Sequence, residues 1–132
     1  MEVSEIPSLP WYVVNADLFS HAGKDFLILA DSYSFYWEIV PLSSTSSKAV
    51  LSAMLSVFQH FGIPAQVKSD NGPVFMSFEF RSALKSHGIK LVTSSPYHPR
   101  GNSLAERAVQ EAKRILQKVE SGTPAYYIRG RP

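Results

Sequence analysis

Three strand-like runs crowd the first third of the chain, and the links between them decide how they can pair. Trp11 to Phe19 is rich in aromatic and β-branched residues, a composition that suits a pleated, half-buried surface. Phe26-Leu27-Ile28-Leu29-Ala30-Asp31 is a continuous apolar run of strand length that ends in an acid, and Tyr36 to Leu42 is a third run. A parallel connection needs about a dozen residues or more to cross back. The links Ser20–Asp25 and Ser32–Phe35 are too short for that, so the three runs must form an antiparallel meander. Gly23 and its polar neighbours mark Ser20–Asp25 as a hairpin turn, and Asp17 falls near the end of the first strand.

The period then changes. The cluster Ser43-Ser44-Thr45-Ser46-Ser47 offers several helix caps, after which Val50, Met54, Val57, Phe58 and Phe61 recur at helical spacing. Gly62 and Pro64 stop this first helix. Ala65 to Ser69 reads as a fourth strand. Ser77 to His87 reads as a second helix with Phe80 and Leu84 on one face, ended by Gly88. Ile89 to Thr93 is a fifth strand, and Ser94 to Ser103, with Pro96, Pro99 and Gly101, is a loop. From Ser103 to Val119 a third helix carries Leu104, Ala108, Ala112, Ile115 and Val119 on one stripe. The order β-β-β-α-β-α-β-α predicts an α/β domain on one mixed five-stranded sheet. Three strands are antiparallel, and two further strands are placed parallel. Residues 1–10 read as a lead-in, 11–120 as the folded core and 121–132 as a tail.

Composition narrows the class. The chain has 132 residues, 45% hydrophobic and 18% charged, with a net charge of +2 and no cysteine. One domain with a real core fits these values. A disulfide scaffold and a thiolate zinc site are excluded. The small positive charge permits nucleic acid as a partner without arguing for it. No apolar run approaches the ~20 residues of a membrane helix, and the acidic N-terminus lacks the order of a signal peptide. A soluble intracellular protein, or a piece of a longer one, is expected.

The chemistry gathers around Ser69-Asp70-Asn71-Gly72-Pro73. A short apolar strand ends in an acid, and Asn-Gly-Pro turns the chain at once. That places Asp70 where its side chain can reach a cleft. Asp17 on the first strand and Glu106 in the first turn of the last helix are the acids that could meet it. Phosphoryl transfer needs alignment and charge neutralisation more than covalent help. Hard cations such as Mg²⁺ take carboxylate oxygens, and two such ions can hold both the attacking and the leaving oxygen. The bland readings stand beside this one. A strand-end Asp commonly forms a turn, Asp31 competes with Asp17 on local grounds, and a carboxylate in a first helical turn is favoured by the helix dipole anyway.

The run Ser69 to Phe75, followed by Tyr97-His98-Pro99-Arg100-Gly101-Asn102-Ser103-Leu104-Ala105-Glu106-Arg107, resembles the integrase core of retroviruses and LTR retrotransposons, most of all the gypsy-like group. Between Asp70 and Glu106 lie 35 residues (71 to 105), the spacing of that family's D,D(35)E pattern. Trp11…Asp17-Leu18-Phe19, Asp31-Ser32-Tyr33-Ser34…Trp37 and Phe61-Gly62-Ile63-Pro64 are similar as well, so the likeness runs from about Trp11 to Lys118. It implies an RNase H-like fold, DNA as substrate and Mg²⁺ or Mn²⁺ as cofactor, two ions in all. It implies trimming of 3′ DNA ends and their transfer into target DNA, with Asp17, Asp70 and Glu106 as catalytic metal ligands. Asp31 matches no ligand and would be structural, closing a turn with Ser32 or Ser34. A homodimer or larger assembly, and a nucleus or virus-like-particle location, follow from the same likeness.

Two departures bear on function. The family carries a glycine after the position of Asn102, whereas here it stands before it, in Arg100-Gly101-Asn102-Ser103. The family's zinc-binding N-terminal and DNA-binding C-terminal domains find no place in these residues, so a core fragment, a truncated element or a domesticated host gene is expected. A relict that binds DNA or protein without catalysis is the alternative, and a nuclease of RNA–DNA hybrids stands behind it. Candidate DNA contacts are Asn71, Arg100, Asn102, Arg107, Lys113 and Arg114. For Asn71 the rival role is holding the turn. For Arg107, Lys113, Arg114 and Lys118 it is a solvated basic face. His60 is placed on a helix surface, His98 in shaping its loop, and Trp11 and Trp37 in packing.

Overall fold

The computed structural model describes residues 9–93 and 103–120. Five strands form one sheet in the order β3-β2-β1-β4-β5. They are β1 (Val13–His21), β2 (Lys24–Asp31), β3 (Trp37–Leu42), β4 (Gln66–Ser69) and β5 (Lys90–Thr93). β1 pairs antiparallel with β2, and β2 with β3. β4 runs parallel to β1, and β5 parallel to β4. The meander and the mixed sheet expected from link lengths are both present.

The first hairpin is tighter than expected. Pairing continues to Ser20↔Asp25 and His21↔Lys24, which leaves Ala22-Gly23 as a two-residue turn. Both turn residues have positive φ, 52° and 77°, as a turn matched to strand twist requires. The polar residues that suggested a longer loop are strand ends, with Ser20 and Lys24 facing solvent. Asp17 is therefore the middle residue of the nine in β1, not a residue near its end.

Helices cover both faces. α1 (Ser47–Phe61) starts at Ser46, whose side chain accepts from the Ala49 amide at 3.2 Å, and stops at Gly62 with φ 106°. Its Val50, Met54, Val57 and Phe58 pack with Val14, Ala16, Leu27, Leu29 and Val67 of the sheet. α3 (Phe78–Ser86) adds Phe80 and Leu84 to the same core. Between β4 and α3 lies α2 (Pro73–Met76), a single turn that periodicity could not reveal. The opposite face belongs to α4 (Ser103–Glu120), whose Ala108, Val109, Ala112 and Leu116 bury Phe19, Phe26, Ile28 and Trp37. β1 and β2 are thus covered on both sides, which explains the unbroken apolar run of β2. Trp37, nearly fully buried, donates its Nε1–H to Glu111 and ties the middle of α4 to the start of β3.

Asp31 closes the corner between β2 and β3. Its carboxylate accepts from the amides of Trp11 (2.9 Å), Tyr33 (3.3 Å) and Ser34 (3.2 Å) and from the Ser34 hydroxyl (2.7 Å). Ser34 is its turn partner, while the Ser32 hydroxyl instead accepts from Asn15. Trp11 and Phe35, both with left-handed φ (64° and 66°), are held from this corner, Phe35 through its amide to the Asp31 carbonyl. Trp11 packs edge-on against Phe58 and donates its ring N–H to the Gly62 carbonyl. Among the described residues no helix is long and apolar enough to cross a membrane.

Candidate active site

Strand parity places the acids. Side chains alternate across a strand, so Asp17 shares the face of β1 that carries Phe19, and Phe19 packs beneath α4. On β4, Val67 packs toward α1, which turns Lys68 and then Asp70 toward the α4 side. The parallel register runs Val13↔Gln66, Val14↔Val67, Asn15↔Lys68. Carried two residues further, the same register sets Asp17 beside Asp70 on neighbouring strands, whose spacing is about 4.8 Å. Glu106 sits in the first turn of α4, exposed between the buried Ala105 and Ala108 that fix the helix to the sheet.

Electrostatics ties Asp17 to the other two acids. The Asp17 carboxyl is raised from 3.8 to about 6. Burial contributes most. The Leu18 amide, bonded to Oδ1 at 2.8 Å, works in the opposite direction, and the charges of Asp70 and then Glu106 add to the rise. Asp31 has no part in this set. The competition between Asp17 and Asp31 is settled by register: Asp31 pairs with Val14 at the far end of β1 and spends its oxygens on the β2–β3 turn. Among the described residues no three histidine or acidic side chains converge closely enough to grip an ion between them. The three acids thus share a field without forming a closed cage.

The turn after Asp70 does work the sequence did not disclose. Asp70 is exposed, and its Oδ1 accepts from the Gly72 amide at 2.8 Å. A β-carbon at Gly72 would stand 3.0 Å from that oxygen, tighter than ordinary contact. Gly72 has an ordinary negative φ of −59°, so its role is room for the carboxylate rather than backbone freedom. The Asn-Gly-Pro signal predicted a turn there, but the close approach depends on where the carboxylate lies.

Of the candidate DNA contacts, Asn71, Arg107 and Arg114 are exposed and Lys113 is half-buried, whereas Arg100 and Asn102 lie outside the described residues, as does His98. Arg107 and Arg114 stand with Gln110 and Glu111 along one wall of a groove of about 530 Å³, opposite Phe35 and Trp37. His60 lies on the surface of α1 against Phe61, as expected.

Residues 10–99 match the family model described as the integrase core domain. That match stops short of Glu106, so the third acid rests on spacing and geometry. The uncharacterized protein K02A2.6 of Caenorhabditis elegans is 32% identical over 116 residues, covering 87% of this chain and 9% of that protein. The Gag-Pro-Pol polyprotein of Simian retrovirus SRV-1 is 30% identical over 129 residues, covering 96% of this chain and 7% of the polyprotein. The chain spans less than a tenth of the length of these relatives. Among solved structures, the simian T-cell lymphotropic virus intasome in complex with PP2A regulatory subunit B56 gamma superposes with a TM-score of 0.82 at 26% identity, covering 94% of this chain and 47% of that one. The HTLV-2 integrase catalytic core in complex with magnesium, in its trimeric form, gives 0.75 at 23% identity over 92% and 81% of the two chains. The sheet order and helix placement are those of the RNase H-like integrase core.

Proposed function

The chain belongs to the integrase core domain family, and on that footing we propose that it is the catalytic core of a divalent-metal-dependent polynucleotidyl transferase. It trims the 3′ ends of an element's DNA and joins them to target DNA. The observation that carries this reading is the parallel β1–β4 register, which sets Asp17 beside Asp70, with the charge of Glu106 near enough to add to the rise of the Asp17 carboxyl. An all-oxygen, mutually repelling set of this kind fits a hard cation such as Mg²⁺ or Mn²⁺. When bound, two such ions would offset phosphate charge and align the attacking and leaving oxygens.

The chain's own residues divide the remaining work. β1, buried on both faces, fixes Asp17. The Gly72 amide orients Asp70 where β4 ends. Glu106 rides on a helix anchored through Ala105, Ala108 and the Glu111–Trp37 bond. Asn71, Arg107, Lys113 and Arg114, with Arg100 and Asn102 of the preceding loop, supply contacts to the DNA backbone and end. DNA and a second copy of the chain are the proposed partners, in a nucleus or virus-like particle. HTLV-2 integrase cores described as dimeric and trimeric support the self-association.

The test is strand joining on a branched DNA substrate with Mn²⁺. The wild-type chain is expected to act, and Asp70→Asn to lose at least ~10³-fold in rate, about 4 kcal/mol of transition-state stabilisation. Joining that persists unchanged in Asp70→Asn would sink the proposal. A second reading, a domesticated domain that binds DNA or protein without catalysis, draws on the displaced glycine in Arg100-Gly101-Asn102-Ser103. Stable DNA binding with no joining in either Mg²⁺ or Mn²⁺, unaltered by Glu106→Gln, would select it.

A further inference from the structure

A second groove, of about 350 Å³, lies between α3 and β5. One wall is α3, through Arg81 and Lys85. The other is β5, through Lys90, Leu91 and Thr93, with Met76 of α2 at the end. Thr93 pairs with Ser69, the residue before Asp70, so the groove begins one strand away from the candidate catalytic acid. It then follows β5, the last strand of the sheet, back toward Lys90.

Among the described residues the charged side chains that line it are all basic. Arg81 and Lys85 are exposed and stand one helical turn apart, a like-charge spacing that works against the helix. No acid occupies a position three or four residues from either of them, so α3 offers neither the usual intrahelical compensation. In a chain with a net charge of only +2, two exposed cations one turn apart along a groove wall are a concentration that composition does not predict.

We propose that this groove is a phosphate track that holds the backbone of duplex DNA as it leaves the Asp70 end of the sheet, with Arg81 and Lys85 as its principal contacts. The inference rests on the reading of the chain as a DNA-joining enzyme and adds a binding surface apart from α4. Phosphate contacts of this sort position a duplex without reading its sequence. Arg81 and Lys85 lie on α3, which carries none of the three acids, so their loss is expected to weaken binding and leave the reacting groups in place.

The experiment is fluorescence anisotropy of a blunt random-sequence duplex with the 132-residue chain, across a salt series. Arg81→Gln/Lys85→Gln and Arg81→Glu/Lys85→Glu are compared with Arg81→Lys/Lys85→Arg, and circular dichroism is used to verify folding. Losing two phosphate contacts should flatten the log–log salt slope by about 1.8 and weaken binding roughly tenfold or more at low salt, while the conservative pair stays near wild type. An unchanged slope in the Gln pair overturns the proposal, as does a wild-type chain that binds no duplex. Displacement of the duplex by poly-glutamate at equal charge concentration would reassign the groove to an acidic polypeptide and overturn it too. Asp70-dependent joining, measured on the same samples, reports separately on the enzyme reading. It can survive while the slope stays unchanged, or be absent while the slope changes.

Discussion

Asp31 and Asp17 sit on neighbouring strands of one sheet, and their surroundings are opposite. Asp31, 2% exposed, has three amides and a hydroxyl turned toward it, and its oxygens hold Trp11 and the β2–β3 turn together. Asp17, half-buried, has one amide and two like charges. An acid whose oxygens are spoken for is part of the scaffold. An acid left short of donors, in a negative field, costs stability in the free protein and marks a candidate functional position. The contrast lies in donors and neighbouring charge, and depth of burial alone would have misassigned it.

The strongest way to break this comparison is Asp31→Ala. Three amides and a hydroxyl lose their acceptor, and the left-handed backbone at Trp11 loses its anchor, while Phe35 keeps its bond to the Asp31 backbone carbonyl. About 3 kcal/mol of stability should go, measured by urea denaturation. A loss under about 1 kcal/mol would mean the corner holds itself without the carboxylate. Gly72→Ala sharpens the other side of the contrast. It crowds Asp70 Oδ1 and should lower strand joining by about tenfold, or about 1.4 kcal/mol, while shifting stability by less than that. Equal loss in both would show that Gly72 serves the fold.

The smallest effect is the most diagnostic. The folded-state value of Asp17, about 6, lies above its ordinary 3.8. The folded protein therefore holds this proton to higher pH than the unfolded chain does, so the group favours folding at low pH. That contribution is complete below about pH 4 and is lost as pH rises through about 6. Asp17→Asn should accordingly be more stable than wild type at pH 7 without divalent metal, by about 1 kcal/mol once solvent screening of a half-buried group is allowed for, or about 4 °C in Tm. The gain should vanish near pH 4. A variant equally stabilised at both pH values would show that the cost at Asp17 is not one of charge.

Much of the architecture was legible because it is local. Link lengths set the meander, and the switch from strand runs to helical spacing at Val50 set the helices. Other features were not local. Ser20 and Lys24 look like loop residues because the hairpin tip stands clear of the helices, yet their backbones pair. α2 is a single turn begun by Pro73, shorter than any period. That Asp17 rather than Asp31 faces Asp70 follows from the parallel register of β1 and β4, a pairing across about fifty residues that no local pattern encodes. Gly72 reads as a turn glycine, and its nearness to Asp70 Oδ1 is a fact of three dimensions.

The split between the two sheet faces has a consequence for the order of synthesis. The meander, α1 and β4 come off the ribosome first and can assemble a core that already holds Asp17 and Asp70. Glu106 arrives on α4, after every strand has been made, and reaches the other two acids once that helix closes the second face. Domains are built from the N-terminus as they emerge, and contacts between distant segments form late. The segment before Ser103 therefore contains every strand and two acids of three. The last helix is thus the element that completes the acidic set.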